Sequence, residues 1–96
     1  MSEKLSDNNF KDLKKYSTKA FKEFDSNSYK QKLVYKLLSL IKVNNQNEFF
    51  NVLLRTLNSK DTDDVKELSR ILKDIYPLNE NFESVAYTIV MGIMTS

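Results

Sequence analysis

Glycine and proline each occur once in this 96-residue chain, at Gly92 and Pro77. Hairpins and tight sheet turns draw on glycine for positive φ and on proline for a pre-set turn φ. A chain so poor in both has few means of building a sheet, and is left with helices joined by short polar links. With 41% hydrophobic and 29% charged residues, it carries enough apolar side chains for one core and too few residues for two. The expected fold is all-α, a compact bundle of about five helices in a single domain spanning 1–96.

Apolar spacing and cap residues place those helices. The first runs from about Asp7 to Phe24. At ~100° per residue, Phe10, Leu13, Tyr16, Ala20, Phe21 and Phe24 share one arc, and Lys11, Lys14, Lys15, Lys19 and Lys22 share the opposite one. Ser26, Asn27 and Ser28 interrupt it and cap a second helix, Tyr29 to about Val43. Its apolar face holds Tyr29, Leu33, Val34, Leu37, Leu38, Leu40 and Ile41, with Lys32, Lys36, Ser39 and Lys42 opposite, beside Tyr35. Asn45 and Glu48 have capping-box spacing and open a third helix through Leu57. Asp61, Thr62, Asp63 and Asp64 put acid where a fourth helix begins and its dipole favours negative charge; Pro77 ends that helix. Asn79 to Asn81 cap a fifth, in which Phe82, Val85, Ala86, Ile89, Val90, Ile93 and Met94 recur at helical spacing. Residues 1–28, the most charged segment and set off by Asp25–Ser28, are expected to pack peripherally on a bundle core formed by 29–96.

Much chemistry is excluded by what is missing. The chain has no cysteine and no histidine, so a transition-metal site would rest on carboxylates alone, and no imidazole is there to activate a hydroxyl nucleophile. Asp61, Asp63 and Asp64 lack the glycine and the later glutamate of a calcium loop, and helix capping accounts for them. Gly92 stands alone in an apolar helix, where it favours close helix packing over phosphate cradling. No enzyme activity, metal or cofactor is expected. Without cysteine, a membrane-length apolar run or a secretory signal at the polar N-terminus, a cytoplasmic location fits.

Binding is the remaining mode of action. Residues 1–43 carry ten lysines against five acids, while 44–96 carry five basic residues against eight. The five lysines of the first helix, with Lys32, Lys36 and Lys42 of the second, could each neutralise a phosphate without reading a base; as easily, they form a solvated face. Arg55 and Arg70 are the only arginines, so bidentate reading of guanine edges is not expected. Tyr35 could stack on a base, although a tyrosine at the margin of an apolar face more often packs half-buried. In the last helix Tyr87, Met91 and Met94 form a stripe that is either a core edge or a subunit contact.

Two stretches resemble a known family. Asn45-Gln46-Asn47-Glu48-Phe49-Phe50-Asn51-Val52-Leu53-Leu54-Arg55-Thr56-Leu57 is similar to a helix in the C-terminal helical domain of the large subunit of type I-B CRISPR Cascade complexes. Phe82-Glu83-Ser84-Val85-Ala86-Tyr87-Thr88-Ile89-Val90-Met91-Gly92-Ile93 resembles that domain's closing helix, and Leu33 to Ile41 fits the helix before them. The resemblance covers about residues 29–94, and residues 1–28 lie outside it. It implies the Cascade small subunit, which is that domain made as a separate chain; a chain beginning at Met1 suits this product better than the large subunit. The implied partners are the large subunit, further copies of this chain, crRNA and target DNA. The implied role is to support the crRNA–target duplex and the displaced strand through backbone contacts, for which charge and shape suffice because guide pairing reads the sequence. The alternative reading is a small helical interaction module, such as a phage or plasmid inhibitor or regulator, with no nucleic-acid role.

Overall fold

In order along the chain, the computed structural model has α1 (Asp7–Phe21), α2 (Asn27–Lys42), α3 (Gln46–Asn58), α4 (Asp63–Ile75) and α5 (Phe82–Met94). It describes residues 7–78 and 81–96, with side chains from Asn9 onward, and no strand occurs among the described residues. The expectations that touch residues 1–6 and the capping role of Asn79 lie outside them.

The helix starts follow local hydrogen-bonding chemistry. The side chain of Ser26 accepts from the Tyr29 amide at 3.1 Å, that of Thr62 from Val65 at 3.3 Å, and that of Asn45 from Glu48 at 3.2 Å. Each satisfies one of the amides that a helix start leaves without an internal partner. The capping box at Asn45 is only half made, because Glu48 turns away to accept from Arg55 at 3.3 Å and the Asn45 amide donates instead to the Leu40 carbonyl at 2.9 Å. Asn81 holds the cap position of α5 in the left-handed region, φ 70°, and makes no side-chain cap bond. Asn44, φ 56°, turns the chain between α2 and α3; asparagine tolerates this region better than most residues.

α1 stops at Phe21, three positions before the expected end. The amides of Glu23 and Phe24 donate to the carbonyls of Ala20 and Phe21, tightening the last turn. That turn swings Phe24 into the core, where its ring stacks on Phe21 at 5.1 Å and on Tyr29 at 6.0 Å.

The five helices close a ring. α1 packs most extensively on α5 and then on α4, α5 on α2, α2 on α3, and α3 on α4. Leu13 and Phe21 of α1, Leu37 of α2, Phe49 and Leu53 of α3, Leu68 and Leu72 of α4, and Ile89 of α5 are all fully buried. The radius of gyration of 12.3 Å is about that of a compact chain of this length, and the ring encloses one core.

The expectation of a peripheral first helix is therefore corrected. Leu13, Ser17, Ala20 and Phe21 are completely buried, at the spacing of one helix face, and α1 packs mainly on α5. The approach is close because Gly92 has no side chain: a Cβ there would lie 2.5 Å from Ser17 Cβ. The Thr18 hydroxyl donates to the Gly92 carbonyl at 3.3 Å and lies 3.2 Å from the Thr95 hydroxyl. Lysines on one side of a helix do not keep the other side out of a core.

Candidate nucleic-acid interface

Lys11, Lys14, Lys15, Lys19 and Lys22 are all exposed, and the packing of α1 on α5 brings them to one place. With Phe10, Thr18, Thr88 and Met91 they line an open groove of about 720 Å³ between the two helices. Its lining surface is mostly apolar, and the five lysines border it. Lys15 and Lys19 hold their Nζ atoms 5.4 and 5.6 Å from the Tyr16 ring centroid, within cation–π range. Among the described residues, no carboxylate forms an ion pair with any of the five.

The other predicted lysines are not brought to this groove. Lys32, Lys36 and Lys42 are exposed on α2, which in the ring is separated from α1 by α5. They line neither this groove nor a second one of about 430 Å³ between α2 and α5. That second groove holds Lys30, which sequence reasoning passed over. Its Nζ donates to the Ser96 hydroxyl at 3.1 Å, and its position one turn before Val34 was the available signal. Tyr35 lines the same groove but is 72% exposed, so the half-buried packing favoured for it does not occur.

Tyr87, Met91 and Met94 are 45, 51 and 68% exposed, which assigns the stripe to the surface. Val90 and Ile93 on the same helix are buried and supply its core face. Met91 lines the lysine groove and Met94 the α2–α5 groove, so the stripe is an apolar ridge with a trough on either side.

The charges of α4 are arranged differently. Arg70 donates to Glu67 at 2.6 Å and to Asp74 at 2.8 Å, and the bond to Arg70 holds the Glu67 carboxyl below its ordinary range. Lys66 meets Asp61 at 3.0 Å, and that bond raises its pKa. Asp63 and Asp64 occupy the first turn. This helix is nearly self-neutralised, whereas the rim of α1 is a run of like charges.

The chain has no significant match among protein-family models, curated proteins or solved structures. Among the described residues, no helix is long and apolar enough to cross a membrane. Among the described residues, the lysines of α1 without carboxylate partners and the exposed ridge of α5 stand out on this surface.

Proposed function

We propose that this chain is a non-catalytic, cofactor-free small subunit of a type I-B Cascade-like CRISPR ribonucleoprotein, acting in the cytoplasm. The carrying observation is the set of five exposed lysines along one groove, without carboxylate partners among the described residues. Lysine acts on phosphate as a point charge, so such a rim suits the backbone of a guide–target duplex or a displaced strand whose sequence is read by base pairing. The ridge of Tyr87, Met91 and Met94 supplies a surface for the large subunit or another neighbour. The resemblance of residues 29–94 to the large subunit's helical domain supports the same reading.

The test is a salt titration with single-stranded oligonucleotides of shuffled sequence. Binding should be weak, indifferent to sequence and steeply salt-dependent. Lys14→Ala, Lys15→Ala and Lys22→Ala together should reduce the log–log salt slope by about 2 and leave stability within about 0.5 kcal/mol. An unchanged slope makes the rim a solvated face and favours an interaction module without nucleic acid. Co-purification of the tagged chain with native crRNA and the large subunit tests the assembly itself.

A further inference from the structure

Resting on the reading of the α5 ridge as a contact surface, we infer that its partner presents an acidic amphipathic helix, and that a second copy of this chain does not dock there. The ridge runs along α5 with a trough on each side, one against α1 and one against α2. A corrugated apolar surface of this kind fits the side-chain rows of another helix, which settle into grooves. Charge then selects among helices. One trough is rimmed by Lys11, Lys14, Lys15, Lys19 and Lys22, and Lys30 lies in the other. A helix whose apolar stripe covers Tyr87, Met91 and Met94 therefore sets its flanks against lysines, and carboxylates on those flanks complete the match.

A second copy has no such helix to offer. Among the described residues, its large exposed apolar side chains on helices belong to α2 and α5. α2 contains no acid and α5 only Glu83. Tyr76, just after the better-supplied α4, packs on the Phe50 ring at 5.0 Å and bonds to Asn47. Face-to-face docking of two copies through the ridge would bring the two lysine rims together, and like charges across an interface oppose association.

Two designed helical peptides of α5 length test this, sharing one leucine stripe and differing in whether glutamate or lysine flanks it. The glutamate peptide should bind at least about tenfold tighter than the lysine peptide. Tyr87→Gln with Met94→Gln, two exposed positions off the lysine groove, should weaken that binding by about tenfold while the oligonucleotide salt slope of the protein stays as it was. Equal binding of both peptides, or binding indifferent to the double variant, overturns the inference. So does self-association in sedimentation that the variant abolishes, or docking on phosphatidylserine vesicles that the glutamate peptide fails to displace. Loss of oligonucleotide binding with peptide binding intact would defeat the nucleic-acid reading alone, and the reverse would defeat this one alone.

Discussion

α1 and α4 lie side by side in the ring and bury similar apolar faces, yet their outward faces are opposites. On α4 each arginine or lysine in an ion pair has its acid within a turn or so: Arg70 sits between Glu67 and Asp74, and Lys66 beside Asp61. On α1 five lysines stand without an acid partner among the described residues, at spacings of three and four where like charges repel. A helix needing only solubility is served by the α4 pattern. The α1 pattern stores repulsion that an anionic ligand would relieve, and the proposed binding role rests on that difference.

The largest expected effect concerns whether the two helices are equally structural. Leu13 on α1 and Leu68 on α4 are both fully buried, so Leu13→Ala and Leu68→Ala should each cost about 2–5 kcal/mol in urea unfolding. A cost at Leu13 far below that at Leu68 would make α1 an appendage and break the comparison. Smaller and opposite in sign is Ser17→Ala. The Ser17 hydroxyl is buried without a hydrogen-bond partner, whereas the buried face of α4 is wholly apolar. Alanine keeps the Cβ that meets Gly92 and removes the orphaned oxygen, so stability should rise by about 1 kcal/mol. A loss in the same unfolding measurement would mean the hydroxyl is satisfied after all. The smallest effect belongs to the α4 pairs. Arg70→Ala should barely shift the melting temperature, because its pairs are exposed. Glu67 has a lowered pKa in the fold, so what the pair contributes is present above the ordinary glutamate range and fades as the pH falls through it. The gap between variant and parent should shrink in acid; a widening gap would contradict the assignment.

The fold was largely legible because helical periodicity is strong where core residues recur every three or four positions. Leu33 to Ile41 and Phe49 to Leu57 needed nothing more. What escaped was information carried by small residues. Ser17 falls in the arc of Leu13, Ala20 and Phe21, but a hydroxyl does not read as core. Charge misled in the same region, since a rich lysine face made α1 look detached. The candidate site was half legible. The five lysines of α1 could be placed on one face from sequence, but that Met91 and Thr88 line the same groove depends on which helix α1 chooses to pack against. Lys32, Lys36 and Lys42 were grouped with them on charge alone, although the fold sets α2 on the far side of α5. Tyr35 shows the same limit, because the helix wheel put it at a margin and only the tertiary packing decides which side of a margin is wet.

The pairing of α1 with α5 has a kinetic side. Thr18 and Gly92, which touch, are 74 residues apart, and α5 also separates α1 from α2. α1 therefore packs most extensively on the helix farthest from it in sequence among the five. Closing so long a loop is entropically costly before any contact rewards it, and contacts distant in sequence slow folding relative to bundles in which neighbours pair in order.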